Sequence, residues 1–213
     1  SSFNQEIDFW INKEGMVMES QEELFHSSIL QIPGKHNLQN LLIVTAAARK
    51  IGLSSQSIEE SLSSFRGVPH RLEKLGNFNG IDIFNDSKAT NYESAQMGLI
   101  AVKMPVILLA GGIIKKGDSS GWAKEVYKRA CGAILFGDCA LDLKKIIESS
   151  GFKGDLQCCK NLSEAVDIAI KKSMHMKAKS LLLSPACASF DQYKDYEDRG
   201  EHFRKLMQSY LQS

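Results

Sequence analysis

Lysine and hydroxyl side chains concentrate in three short stretches of the sequence. Residues 85–91 (N-D-S-K-A-T-N) contain Lys88 and Thr90. Residues 111–118 (G-G-I-I-K-K-G-D) carry two adjacent lysines, and residues 184–191 (S-P-A-C-A-S-F-D) carry two serines. Lysine supplies a compact positive charge, and the backbone N–H groups at helix starts supply oriented donors. Together the three stretches predict a site for a small dianion such as an acidic amino acid.

Several of these residues also have a purely structural interpretation. The T-x-x-E motif at Thr90 and the S-x-x-Q motif at Ser189 match capping boxes, so both hydroxyls could serve only to satisfy helix donors. Lys115 and Lys116 could be solvated loop lysines. Asn37 could be a helix cap and nothing more. The prediction therefore depends on the three stretches coming together.

The order of apolar and amphipathic segments indicates how they could come together. Apolar runs lie at 81–84, 106–109, 133–136, 156–158 and 181–183, and helix-length stretches lie near 91–103, 119–130, 140–150 and 161–174. A last helix is predicted from about residue 191. This alternation predicts an α/β domain with a doubly wound, mostly parallel sheet. Ligands of such sheets bind beyond the carboxyl ends of the strands, where the three polar stretches fall.

The first 67 residues follow a different pattern. Short strands are predicted at 9–11, 16–18 and 28–32, followed by a helix over 37–50 and a second helix that starts near Ser57. One or two hairpins and two helices do not make an obvious core. We therefore predict that residues 1–67 are the end of another domain and that residues 68–213 form the α/β domain.

Composition excludes several classes of protein. The net charge of +1 argues against a nucleic-acid binder, and no apolar run approaches the length of a membrane span. The five cysteines have no C-x-x-C spacing, which predicts reduced thiols in the cytoplasm and no metal site. No signal peptide is visible at the start of the sequence.

Common catalytic motifs are missing from the sequence. Gly112 and Gly117 have the spacing of a phosphate-binding loop, but Asp118 stands where lysine is required. The sequence also contains no G-x-G-x-x-G after a strand, no G-x-S-x-G and no H-E-x-x-H.

Five motifs occur in an order that resembles the Mur ligase family. They lie at residues 34–40, 69–73, 85–91, 109–112 and 183–193. The stretches N-D-S-K-A-T-N and S-P-A-C-A-S-x-D-Q are the most specific, and they resemble the branch of the family that adds D-glutamate. The resemblance covers nearly the whole chain.

This resemblance implies a domain organisation and a reaction. Residues 1–67 would be the end of a central α/β ATPase domain, and residues 68–213 a Rossmann-like domain for the amino acid. The implied reaction uses ATP and Mg²⁺ to join D-glutamate to UDP-N-acetylmuramoyl-L-alanine through an acyl phosphate, for peptidoglycan synthesis in the cytoplasm. The family's phosphate-binding loop and magnesium ligands would lie upstream, so no turnover is expected from this chain alone.

The resemblance also implies roles for individual residues. Asn37 and Asn40 would face the adenine end of ATP, Arg71 its phosphates and Asp86 its ribose. Lys88 would be catalytic, between nucleotide and acceptor. The positions that match D-glutamate contacts are Thr90, Lys115, Ser189, Phe190 and Tyr196. The apolar loop 111–116 departs from the family pattern and leaves the choice between Lys115 and Lys116 open, and Tyr196 stands where phenylalanine is common.

Three alternatives remain at this point. One is a sister Mur or folylpolyglutamate-type ligase, against which the S-P-A-C-A-S stretch argues. Another is a non-catalytic module that binds an acidic metabolite. The third is a nicotinamide-dependent enzyme, which the missing glycine fingerprint disfavours.

Overall fold

The computed structural model of the protein describes residues 8–212, apart from the side chains of residues 35 and 36. Residues 1–7 of the first predicted domain and residue 213 of the second therefore lie outside the described residues. The chain divides into two compact units between Gly67 and Val68. Each unit is described by itself.

The first unit combines a small antiparallel sheet with two helices. Its elements are β1 (Phe9–Ile11), β2 (Met16–Glu19), β3 (Glu22–His26), a 3₁₀ turn (Ser27–Ile29), α1 (Lys35–Lys50) and α2 (Ser55–Ser64). Strand β2 pairs with both β1 and β3. Buried Val17 and Phe25 of the sheet pack with Leu41 of α1 and Ile58 of α2.

One strand of this unit was predicted wrongly, and its second helix begins two residues before Ser57. Residues 28–32 do not form a strand, because Ser27–Ile29 turn into a 3₁₀ helix, and the third strand lies earlier, at Glu22–His26. Helix α2 begins at Ser55, because the Ser54 side chain accepts a hydrogen bond from the backbone N–H of Ser57 at 3.1 Å.

The second unit is built on a six-stranded sheet in the order β4-β5-β9-β6-β7-β8. The strands are β4 (Glu73–Phe78), β5 (Ile81–Asn85), β6 (Val106–Gly111), β7 (Ala130–Phe136), β8 (Asp155–Cys158) and β9 (Ser180–Leu183). The helices are α3 (Tyr92–Ala101), α4 (Ser120–Arg129), α5 (Ala140–Ser149), α6 (Leu162–His175) and α7 (Tyr196–Leu211). Within this sheet only the β4–β5 pair is antiparallel, so the prediction of a mostly parallel α/β sheet is confirmed.

Helices cover both faces of this sheet. All of β6 is buried, with Leu108 packing towards the cluster formed by α3, α4 and α5, and Leu109 towards the cluster formed by α6 and α7. A strand that is buried on both faces needs apolar residues at every position. This explains why the strands read as continuous apolar runs.

The sequence analysis missed one strand and misplaced one helix of this unit. Strand β4 forms the antiparallel edge of the sheet, and no apolar run marks it. Helix α7 begins at Tyr196 rather than near residue 191, because Asp195 caps it by accepting a hydrogen bond from the N–H of Asp198 at 2.8 Å. Residues 184–195 are therefore a long loop after β9.

Among residues 8–212, no helix combines the length and the apolar character that crossing a membrane requires.

Candidate active site

The loops that follow β5, β9 and β6 lie side by side, because these three strands are neighbours in the sheet. The loops after β6 and β9 are hydrogen-bonded to each other: Gly111 N–H donates to the Pro185 carbonyl at 3.0 Å. Ile113 and Ala188 then form an antiparallel bridge, with N–H···O distances of 2.8 and 2.9 Å. The structure thus brings together the three polar stretches of the sequence.

A buried arginine, Arg199 on α7, ties all three loops together. Its Nε donates to Ser87 Oγ at 3.0 Å and its Nη2 to the Ser87 carbonyl at 2.9 Å. Its Nη1 donates to the carbonyls of Gly111 and Cys187, at 3.2 and 3.1 Å. Burial of the guanidinium lowers the pKa of Arg199 to about 10. One planar fork therefore fixes the relative positions of the loops after β5, β6 and β9.

Sequence reasoning missed Arg199, although a signal for it exists. Within α7 the buried residues are Arg199, Gly200, Phe203 and Met207, so the arginine lies in the apolar stripe of the helix. A charged residue in that position is almost never fully buried unless it has partners. The sequence could therefore have indicated that Arg199 binds oxygen acceptors in the interior.

Asp86 lies at the start of the loop after β5, and protein donors occupy both of its carboxylate oxygens. Oδ1 accepts from the Leu72 N–H at 3.0 Å, and Oδ2 accepts from Ser184 Oγ at 2.8 Å. Burial raises the pKa of Asp86 to about 7, against the opposing effects of these two hydrogen bonds and of the Arg71 charge. Asp86 therefore joins three chain segments, with only 7% of its surface exposed.

The segment before β4 carries Arg71 next to Asp86. His70 and Leu72, which flank Arg71, both have positive φ angles, 62° and 46°, which is uncommon for residues other than glycine. Buried His70 contacts the amide nitrogen of Asn85 through Nδ1 at 3.0 Å. The Arg71 side chain is exposed, so its guanidinium is accessible to a ligand.

Lys88 and Tyr196 are in direct contact. The Lys88 Nζ lies 3.8 Å from the centroid of the Tyr196 ring, in a cation–π arrangement. The Tyr196 carbonyl accepts from Ser87 Oγ at 2.7 Å, and its hydroxyl donates to Glu197 at 2.8 Å. The ring of Tyr196 is thereby held over the ammonium group of Lys88.

Thr90 and Ser189 do not cap helices. The cap of α3 is Asn91, whose side chain accepts from the Ser94 N–H at 2.8 Å, and half-buried Thr90 precedes it. Ser189 lies in the loop after β9, 2% exposed, and α7 begins seven residues later at Tyr196. The capping alternative is therefore wrong for both hydroxyls.

The remaining predicted ligand contacts lie at the outer surface of the loops. Lys115 and Lys116 are both exposed, so the structure leaves the choice between them open. Phe190 exposes 68% of its surface.

Gly112 is required where the loop after β6 passes the loop after β9. Its φ is +129°, and a Cβ atom there would lie 2.0 Å from the Ala188 carbonyl oxygen. Only glycine allows the two loops to approach this closely.

Asn37 and Asn40 belong to the first unit, on the first turns of α1. The cap of α1 is Gly34, so Asn37 is not its cap. Asn37 Nδ2 donates to the Pro33 carbonyl at 2.6 Å, and Asn40 Nδ2 donates to Asn37 Oδ1 at 3.4 Å. The two amides thus share one helix face, as their spacing predicts.

Within residues 8–212 no group of three or more His, Cys, Asp or Glu side chains could hold a metal ion. These described residues therefore offer no all-protein cage for Mg²⁺, an ion that usually binds through one or two carboxylates together with substrate phosphates.

Solved structures with a similar fold include a folylpolyglutamate synthase and a UDP-N-acetylmuramate–alanine ligase. The folylpolyglutamate synthase of Mycobacterium tuberculosis, complexed with ADP and AMPPCP, superposes with a TM-score of 0.66 over 92% of this chain and 46% of that protein, at 12% identity. The UDP-N-acetylmuramate–alanine ligase of Thermotoga maritima superposes with a TM-score of 0.61 over 91% of this chain and 42% of that protein, at 19% identity. These matches define the fold as that of the Mur and folylpolyglutamate ligases.

Curated proteins with similar sequences share one name. No protein-family model matches the chain. A UDP-N-acetylmuramoylalanine–D-glutamate ligase of Prochlorococcus marinus (strain MIT 9313) is 57% identical over 208 residues, 98% of this chain and 45% of the relative. One with the same name from Synechococcus sp. (strain CC9605) is 53% identical over 208 residues, again 98% of this chain and 45% of the relative. The resemblance to the Mur ligase family that the motifs predicted is therefore confirmed, and the chain spans just under half the length of these curated relatives.

Proposed function

We propose that this chain supplies the amino-acid site of an ATP-dependent ligase that joins D-glutamate to UDP-N-acetylmuramoyl-L-alanine, a step of peptidoglycan precursor synthesis in the cytoplasm. Residues 68–213 form the amino-acid-binding domain in this proposal, and residues 1–67 belong to the ATP-binding domain. The name shared by relatives that match 98% of the chain supports this substrate assignment.

One structural observation carries the proposal. The two stretches most specific to the D-glutamate branch, 85–91 and 184–191, follow neighbouring strands β5 and β9 and are bonded to each other through Ser184 and Asp86. Arg199 adds the loop after β6, which contains Lys115 and Lys116. A dianionic amino acid is thereby offered cationic side chains, hydroxyls and the N-terminus of α3 at one edge of the sheet.

Each predicted residue then has a role in the reaction. One of the lysines 115 and 116 binds a carboxylate of D-glutamate, with Thr90, Ser189, Phe190 and Tyr196 as the other contacts. Lys88, held under the Tyr196 ring, stabilises negative charge on the oxygens of the reacting carboxyl group as the amine of D-glutamate attacks it.

ATP is a substrate in this proposal, and it activates the carboxylate of the UDP-sugar as an acyl phosphate. The exposed guanidinium of Arg71 suits phosphate, and the amides of Asn37 and Asn40 suit the adenine edge. Leu72 N–H and Ser184 Oγ each donate to one carboxylate oxygen of Asp86. In this proposal Asp86 accepts hydrogen bonds from the ribose hydroxyls with the remaining lone pairs of these oxygens. We assign no step to Mg²⁺ within this chain.

The test is phosphate release by the full-length protein that contains this chain. The assay contains ATP, Mg²⁺ and UDP-N-acetylmuramoyl-L-alanine, and compares D-glutamate with L-glutamate, L-lysine and meso-diaminopimelate. The proposal predicts phosphate release that depends on D-glutamate. Turnover with another acceptor would point to a sister ligase, and D-glutamate binding without phosphate release would point to a non-catalytic module. Either result contradicts the proposed function.

A further inference from the structure

Two buried cysteines meet between the loops of the site. Cys139 follows β7 and caps α5, and Cys187 lies in the loop after β9. Their sulfur atoms are 3.2 Å apart, with exposed fractions of 3% and 0%. Both residues are free thiols. This pairing brings together residues that are 48 positions apart in the chain.

The surroundings make the two thiols unequal. The two thiols share a hydrogen bond in which either sulfur could be the donor, and this contact lowers the pKa of Cys139 while it raises that of Cys187. Cys139 also stands at the N-terminus of a ten-residue helix, where the dipole favours a thiolate. Cys139 keeps 3% of its surface exposed and Cys187 none, so a small oxidant reaches Cys139 first. Cys139 is therefore the more nucleophilic sulfur of the pair.

We propose that Cys139 and Cys187 form a redox modification site, which hydrogen peroxide converts into an intrachain disulfide. The Cys139 thiolate attacks the peroxide, gains one oxygen as a sulfenic acid and releases water after protonation. The Cys187 sulfur then attacks the Cys139 sulfur, the S–S bond forms and a second water leaves. Two thiols lose two electrons and two protons, and one hydrogen peroxide becomes two waters. A dithiol reductant reverses the reaction by thiol–disulfide exchange.

Little movement is needed for this reaction. A disulfide bond is about 2.05 Å long, so the sulfurs must approach by roughly 1.1 Å from their present separation. The chain on either side is well held: the Cys139 N–H donates to the Gly112 carbonyl at 3.0 Å, and the Cys187 carbonyl accepts from Arg199 at 3.1 Å. The bond would join the loops after β7 and β9 two residues before Ser189.

The other cysteines have different surroundings. The sulfur of Cys131 contacts the Val106 carbonyl at 3.5 Å, on the opposite face of the sheet. Cys159 contacts the Leu135 carbonyl at 3.5 Å, and Cys158 is exposed. Burial raises the pKa of all three thiols. Cys131 is the matched control, since it shares a tryptic peptide with Cys139 but lies on the other side of the sheet from Cys187.

The test is peptide mapping of the folded full-length protein after treatment with hydrogen peroxide. Free thiols are blocked in denaturant with N-ethylmaleimide, and the protein is digested with trypsin. We expect a cross-link between peptides 130–144 and 180–194 that disappears after treatment with dithiothreitol. The Cys131→Ser variant keeps this cross-link, and the Cys139→Ser and Cys187→Ala variants lose it. Neither result depends on ligase activity.

Two results would overturn the proposal. One is that Cys139 and Cys187 both remain alkylated after peroxide treatment while exposed Cys158 is oxidised. The other is that the cross-link survives Cys139→Ser, which would assign it to Cys131. Far-UV circular dichroism verifies that each variant is folded, and the peptide map of the wild-type protein tests the proposal even if a variant fails to fold.

Discussion

Replacing Arg199 with methionine tests whether one guanidinium holds the three loops of the site. Methionine keeps an unbranched side chain of similar length but removes four hydrogen bonds, which leaves the carbonyls of Ser87, Gly111 and Cys187 without this donor. A hydrogen bond from a charged donor contributes about 1.5–3 kcal/mol. Burial of the charge costs several kcal/mol and offsets much of that sum. We therefore expect the free energy of unfolding to fall by about 3–5 kcal/mol, the usual range when one partner of a buried charged network is removed.

Arg204→Met is the matched control on the same helix. Arg204 makes a bidentate ion pair with Glu73, at 2.7 and 3.0 Å, but its side chain is 29% exposed. Solvent screens such a pair, so we expect a loss of about 1 kcal/mol or less. The two variants thus compare a buried arginine with a partly exposed one on the same helix.

Urea unfolding followed by tryptophan fluorescence measures both changes. Trp122 is fully buried in the second unit, and Trp10 lies in β1 of the first unit. A Trp10→Phe background therefore makes the emission report on the second unit alone. A loss for Arg199→Met no larger than that for Arg204→Met would refute the idea that Arg199 holds the loops.

Three further predictions concern individual contacts of the site. Tyr196→Leu should lower kcat/KM for D-glutamate about fivefold, because a cation–π contact contributes about 1 kcal/mol. Tyr196→Phe keeps the aromatic ring, so its kcat/KM should stay within about twofold of the wild-type value. Equal kinetics of the two variants would contradict the contact with Lys88. Burial raises the pKa of Asp86 from 3.8 to about 7, so between these pH values the folded state keeps a proton that the unfolded state releases. The free energy of unfolding should therefore fall as pH rises from about 4 to about 7 and stay level above pH 7. Urea unfolding of Asp86→Asn should show a weaker pH dependence of this free energy in that window, and an unchanged pH dependence would count against the buried carboxyl. Gly112→Ala should lower the free energy of unfolding by more than about 2 kcal/mol, because its Cβ would lie 2.0 Å from the Ala188 carbonyl oxygen. Gly80 also has a positive φ but no atom within 4 Å of the added Cβ, so Gly80→Ala should lower it by only about 1 kcal/mol. Equal losses in thermal unfolding would mean that the loops can move apart.

Periodicity predicted the parallel part of the sheet well. The runs at 106–109 and 133–136 are buried on both faces, so each is apolar at every position and stands out from the helices between them. Strand β4 was missed because it is an exposed edge strand, whose sequence E-K-L-G-N-F has few apolar residues. Edge strands need only one apolar face and are therefore poorly marked in a sequence.

Local motifs were a weaker guide to helix ends. A T-x-x-E or S-x-x-Q motif identifies a cap only if the chain is already turning into a helix there, and at Thr90 and Ser189 it is not. The N-caps of α3 and α7 are instead Asn91 and Asp195.

The candidate site was predictable as a set of loops but not as a network. The loops after β5, β9 and β6 are neighbours because their strands are neighbours in the sheet. The sequence alone does not reveal this strand order. The buried contacts of Arg199 and the cysteine pair depend on residues far apart in sequence. Their partners could be named only once the fold was known.

The most direct test of the central claim is the KM for D-glutamate in Lys115→Ala and Lys116→Ala variants of the full-length protein, measured beside the KM for ATP. The account predicts that one of the two variants raises the KM for D-glutamate at least about tenfold, equivalent to about 1.4 kcal/mol, while the KM for ATP stays within about twofold. Unchanged D-glutamate KM values in both variants, or an effect on ATP instead, would contradict an amino-acid site at these loops.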